Sequence, residues 1–121
     1  AVTLAHLAAA LRGMIADVLR IAKEAGVKEH SYINAAITDG RIGVACRFSS
    51  DIPEHTPTLY TCRGMRYVYE GGVARMEQSH EVRGSVAVAS EPLGEKHVWT
   101  EVPHNHAVLI DGEGGLTVEA L

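Results

Sequence analysis

Residues 4–22 carry the one long apolar stripe at helical spacing in this chain of 121 residues, and nothing after them repeats it. Leu4, Leu7, Ala8, Leu11, Met14, Ile15, Val18, Leu19 and Ala22 recur every three or four positions, with His6, Arg12, Arg20, Lys23 and Glu24 mostly off that face. Thr3 stands where an N-cap is needed and Gly26 where a helix stops. From Glu29 onward the chain is short apolar runs separated by turn residues. Strands are expected over 31–38, 41–48, 58–63, 85–90, 99–102, 107–110 and 116–121, with 66–69 a candidate for one more. Asp39-Gly40 is a hairpin signal, Gly71-Gly72 closes a strand, and 49–57 is a polar loop with two prolines. The run 85–90 is the most apolar and is expected at the centre of the sheet, with Val86, Val88, Leu11, Met14 and Val18 in the core.

This order of elements predicts an α+β fold, one long N-terminal helix on an antiparallel sheet of about six or seven strands. One helix cannot cover a sheet of that width on both faces. The second face is therefore expected to be partly apolar and to meet another chain or a further part of this one. With no repeat, low-complexity tract or linker in the sequence, residues 1–121 read as a single domain.

Composition narrows the function classes. Hydrophobic residues make up 46% and charged residues 21%, ordinary for a globular chain. The formal charge of -4, with no long run of one sign, gives no basic patch for nucleic acid. No apolar stretch has the length of a membrane span, and 1–11 lacks the basic lead-in and cleavage site of a signal peptide. Cys46 and Cys62 both lie in apolar, strand-like sequence and read as buried free thiols of a cytoplasmic protein, the alternatives being a disulfide or a reactive thiol. There is no Cys-x-x-Cys pair, phosphate loop, dinucleotide fingerprint or Ser-His-Asp motif, and no metal or cofactor is expected.

Five segments together resemble one family. Ile33-Asn34-Ala35-Ala36-Ile37-Thr38-Asp39-Gly40 is similar to the "LN-A-TDG" strand and turn of class II (N-terminal-nucleophile, Ntn-type) glutamine amidotransferases. Val44-Ala45-Cys46-Arg47-Phe48 is similar to the following "V-A-[ST]-R-[YF]" strand, and Thr58-Leu59-Tyr60 to "SLY". Val86-Ala87-Val88-Ala89-Ser90-Glu91-Pro92-Leu93 is similar to "VVVASEPL", and Trp99-Thr100-Glu101-Val102-Pro103 with Asn105-His106 to "W-x-x-VP-x-NH". The segments run in family order from residue 31 to residue 121. The branches most resembled are the amidotransferase-like subunit of the fungal glutathione-degrading complex and the ergothioneine-pathway amidohydrolase.

The resemblance implies the C-terminal half of an αββα Ntn-hydrolase sandwich. The family's nucleophile is a cysteine at the mature N-terminus, and its glutamine-binding and oxyanion groups lie in the N-terminal half. None of those positions has a match here, so no catalytic, cofactor-binding or metal residue is assigned. The implied partner is an N-terminal amidotransferase half or a second copy of the chain. The alternative reading is a non-catalytic assembly or binding module. Cys46 precedes Arg-Phe, like the start of such enzymes, but by register it belongs to the internal strand.

Several residues carry two readings. Glu91 is a site carboxylate, or it ends a strand with Ser90 by bonding backbone, which is preferred. His104 and His106, at i, i+2 spacing, are paired metal ligands or, preferably, surface and turn residues. Asp39 reads as a turn residue and Trp99 as a core or rim anchor, while Arg47 bonds a carboxylate across the sheet or faces the other half.

Overall fold

The structure, a computed structural model, describes residues 1–78 and 84–121. Helix α1 spans Leu4–Glu24. The Thr3 hydroxyl accepts from the His6 N–H at 3.2 Å, and the His6 ring Nδ1 accepts from the Thr3 N–H at 3.3 Å, a reciprocal cap with histidine in the place of the usual Glu or Gln. Gly26 takes a φ of 75°, which lets Gly26 N–H and Val27 N–H bond the Lys23 and Ala22 carbonyls and close the helix.

Among the described residues nine strands follow: β1 Tyr32–Thr38, β2 Gly43–Ser49, β3 Tyr60–Arg63, β4 Met65–Glu70, β5 Val73–Gln78, β6 Val86–Ala89, β7 Thr100–Glu101, β8 His106–Ile110 and β9 Leu116–Ala120. They form an antiparallel four-stranded sheet in the order β1-β2-β8-β9, a three-stranded sheet β6-β3-β7, and the hairpin β4-β5.

The alternation of β2 explains the layering. Val44 and Cys46 point to the helix and join Leu7, Ala8, Leu11 and Ile15 in one core. Ala45 points the other way and packs with Val108, Leu59 and Val102 between the two larger sheets. Beyond the second sheet, Tyr60, Cys62, Met65 and Trp99 form a third cluster. The order of layers is helix, four-stranded sheet, three-stranded sheet.

This α+β architecture departs from the sequence reading in four places. The strands make three sheets, not one, because the short β3 and β7 pair with each other and lie across the face of β2 and β8. The second face of the main sheet is thus covered over β2 and β8 by the chain itself; Asn34, Ala36 and Thr38 of β1 stay exposed. The run 86–89 is an edge strand, with Val86 and Val88 half-buried. Strand β5 has no counterpart in the expected elements, since its Arg75 and Glu77 mask the alternation. Finally, Met14 is half-buried and Val18 exposed, because past Ile15 only Leu19 of the stripe packs on the core.

Candidate functional site

Two groups of polar side chains, one around Arg47 and one around Asp51, meet at the loop 49–57. Its shape follows from the sequence. Pro53 starts a short 3-10 turn over Pro53–His55, and Ser49 and Thr56, both buried, bond each other through their hydroxyls at 2.9 Å. The Ser49 hydroxyl also accepts from the Asp51 N–H at 2.9 Å, and the Thr56 hydroxyl donates to the Ile52 carbonyl at 3.1 Å. The loop is held from within, by the residues best suited to bond nearby backbone.

Beneath it lies Arg47, 5% exposed, on the inter-sheet side of β2. Its Nε donates to the Pro57 carbonyl at 2.9 Å and its Nη2 to the Thr56 carbonyl at 3.3 Å. Nη1 donates to the Val102 carbonyl at 2.6 Å and to Glu101 Oε1 at 2.9 Å. Four of the five guanidinium N–H groups are thereby engaged in holding the loop and β7 to β2. Arg47 is therefore a clamp between the sheets, bonding a carboxylate across them. Beside it is an open depression lined by Arg47, Pro53, Glu54, Glu101, Pro103 and His104. Glu54 and Glu101 suit it to an amine or another hydrogen-bond donor. No thiol or hydroxyl is in that lining.

The turn at one wall of the depression is built on Asn105, whose φ of 56° is a left-handed conformation that asparagine tolerates. Its side-chain carbonyl accepts from the Ser49 N–H at 2.8 Å. The His106 Nδ1 sits 2.8 Å from the His104 carbonyl, so the two histidines are joined through backbone. His104 Nε2 is buried and has no hydrogen-bond partner among the described residues. No group of three or more His, Cys, Asp or Glu suited to a metal occurs among the described residues.

On the outer side of the loop, Asp51 accepts from the Tyr32 hydroxyl at 2.5 Å and from the Ile52 N–H at 2.8 Å. His55 Nδ1 lies 3.2 Å from its carboxylate, and His30 Nε2 3.6 Å away. Tyr32 above all, then the Ile52 N–H, His55 and the charge of His30, hold its pKa down at about 2; the same bond raises that of Tyr32. A carboxyl depressed on folding stabilises the fold above its unfolded pKa, about 3.9, and loses that contribution as pH falls through the folded value. We expect the Asp51 contribution to be complete above about pH 4 and lost as the pH falls to about 2. Comparing urea midpoints of the parent and Asp51→Asn between those limits checks this: the parent's should fall more steeply with acid than the variant's.

No protein-family model, curated protein or solved structure matches the chain.

The residues weighed in the sequence fall into place on geometry alone. Cys46 is wholly buried on the helix side of β2 and Cys62 is buried in β3; both thiols are free, and burial pushes both pKa values up, which is the reverse of an activated nucleophile. The Asp39 carboxylate accepts from the Arg41 and Ile42 N–H groups at 2.9 and 2.8 Å, so it is a turn residue, its pKa lowered by those bonds. Trp99 is buried and donates its indole N–H to the Leu93 carbonyl at 2.9 Å. The expected side-chain bonds of Ser90 and Glu91 to backbone do not occur among the described residues: the Ser90 backbone carbonyl accepts from the Thr58 hydroxyl at 2.8 Å, and Glu91 is exposed outside the depression. The Asp51 cluster was not singled out from the sequence. Its only local signal is the i, i+4 spacing of Asp51 and His55; Tyr32 and His30 reach it only because β1 pairs with β2.

Proposed function

We propose that the chain is the C-terminal part of a class II glutamine amidotransferase-like fold, acting on an amide or γ-glutamyl bond through a terminal cysteine supplied from outside residues 1–121. The observation that carries this reading is how the five motif segments meet. Asn34 donates to the Thr58 carbonyl at 2.9 Å, and the Thr58 hydroxyl to the Ser90 carbonyl. Trp99 bonds the Leu93 carbonyl, and Arg47 bonds Glu101 and the Val102 carbonyl. Asn105 is bonded by Ser49, the residue after Phe48. Each segment is thus tied to another, the segment 86–93 through its Ser90 and Leu93 carbonyls, and the bonds of Asn34 and Arg47 form a seam between two sheets. The helix on an antiparallel sheet fits the half-sandwich that the resemblance implies, while the second sheet over β2 and β8 comes from this chain and not from a partner.

In this reading the chain supports the reaction and does not perform it. The seam holds the two sheets in register, and the depression beside Arg47 offers Glu54 and Glu101 to an amine. The reacting thiolate would form a thioester with the substrate acyl group, release the amine, and be freed by water.

Two measurements bear on it. The purified 121-residue chain should release no ammonia from glutamine above background; steady release abolished by Cys46→Ala would overturn the reading. The native protein containing this sequence, or its complex, should hydrolyse a γ-glutamyl amide and be labelled once, at a terminal cysteine, by a diazoketone analogue of glutamine. Absence of both activity and labelling would leave the alternative, a non-catalytic binding module.

A further inference from the structure

The hairpin β4-β5 turns through Gly71-Gly72, both at positive φ (56° and 77°), the geometry of a two-residue type I′ connection. In such a hairpin the residues flanking the turn, Glu70 and Val73, exchange both backbone bonds, and the pattern alternates from there. Val68 and Arg66 therefore bond inward to β5. Met65, Tyr67 and Tyr69 present their N–H and C=O groups to the outer edge of β4. The Met65 carbonyl accepts from the Ser85 hydroxyl at 3.1 Å, outside the hairpin, as this phase requires. Past that point no strand among the described residues pairs with this edge.

The side chains there are unusual for an open edge. Tyr67 and Tyr69 are each 67% exposed. On the opposite face Arg66 bonds Glu77 at 2.6 Å, and Arg75 bonds Glu70 and Glu77 at 3.3 and 3.2 Å. A two-stranded hairpin is marginal alone in water, and a free edge is a template for a further strand.

We propose that this edge pairs with β4 of a second copy of the chain, antiparallel about a two-fold axis at Val68. The hydrogen-bond phase admits only registers that set odd residues against odd ones. With the axis at Arg66, two like charges oppose each other. With the axis at Tyr67 or Tyr69, Arg66 finds no carboxylate opposite. At Val68 every pair is complementary: Tyr67 exchanges backbone bonds with Tyr69 of the second copy, and Arg66 stands opposite its Glu70, twice by symmetry. Each Arg66 then lies between its own Glu77 and that Glu70. The result is a four-stranded sheet across two chains. The contact is a hairpin edge, well short of a standard interface, so the dimer is weak and concentration-dependent.

The register supplies its own test. In this pairing Val68 opposes Val68 of the second copy as a non-hydrogen-bonded pair, where Cα atoms are about 4.5 Å apart, within the span of a disulfide. Val68→Cys should cross-link into a dimer under mild oxidation, at least tenfold faster than Glu70→Cys, whose opposite residue is arginine; Cys46 and Cys62 are buried and do not compete. In sedimentation velocity on the unmodified chain, the weight-average mass should rise with concentration, and Glu70→Arg, which sets arginine against Arg66, should weaken that association at least tenfold. A monomer at millimolar concentration, or equal cross-linking at both cysteines, overturns the proposal. The inference does not rest on the amidotransferase reading, whose assays measure glutamine chemistry and not association.

Discussion

Val108→Asp should leave the chain unfolded at 25 °C. Val108 is 0% exposed and lies on the inter-sheet face of β8, opposite Ala45 of β2 and Val118 of β9. Leu59 and Val102 close over it from the second sheet. The cation on that face, Arg47, stands two residues along β2 from Ala45 and is already bonded to three carbonyls and Glu101, and the position is closed to water. A carboxylate there must be buried ionised or carry its proton, and either costs several kcal/mol on top of the lost packing. Against a total stability of roughly 5–15 kcal/mol for a domain, a loss of about 5 kcal/mol or more removes most of the folded population. Far-ultraviolet circular dichroism and a urea titration read this directly; a cooperative transition within about 1 kcal/mol of the parent would mean that the two sheets do not pack through β8. Val88→Asp should be milder, about 1–2 kcal/mol, because Val88 is half-buried on an edge strand.

That contrast marks what the sequence does and does not encode. The run Val86-Ala87-Val88-Ala89 is apolar on both faces, and both faces are covered: Val88 against the inter-sheet core, Ala87 and Ala89 against the cluster of Tyr60, Cys62 and Trp99. A doubly covered strand is legible in such a run; its place in the strand order is not, since an edge strand can be covered on two faces as well as a central one. The helix, its Thr3 cap and its Gly26 stop were legible because caps and periodicity are local. The Asp39-Gly40 hairpin was legible for the same reason.

The polar sites were less so. Arg47 could be read as bonding a carboxylate, but its partner Glu101 lies 54 positions along the chain, and only the stacking of one sheet on another brings them together. The same holds for Asp51, whose bonds to Tyr32 and His30 depend on the pairing of β1 with β2. Strand β5 was hidden by its charge. Arg75 and Glu77 suggest a loop until Arg66, directly opposite Glu77, and Glu70, diagonal to Arg75, stand as their ion partners.

The seam can be tested at its centre. Arg47→Ala should destabilise the fold by about 4 kcal/mol, mostly through what it leaves behind. The carbonyls of Thr56, Pro57 and Val102 each accept from the guanidinium. Without it, the buried carbonyls of Thr56 and Val102 lose their partner, at roughly 1–3 kcal/mol each when no water replaces it; water entering the depression beside Arg47 offsets part of that. Glu101 contributes far less. Its side chain is 52% exposed and can return to water, so Glu101→Gln should cost under about 1 kcal/mol. Arg47→Lys should fall between the two, because a single ammonium cannot reach carbonyls on both the loop and β7 at once. This ranking separates a clamp from a simple ion pair: for an ion pair, removing either partner would cost about the same and lysine would substitute well. Urea titrations of the three variants give the order. If Arg47→Ala and Glu101→Gln lose equal stability, the carbonyl bonds are not what holds the two sheets together at this end, and the seam loses its centre.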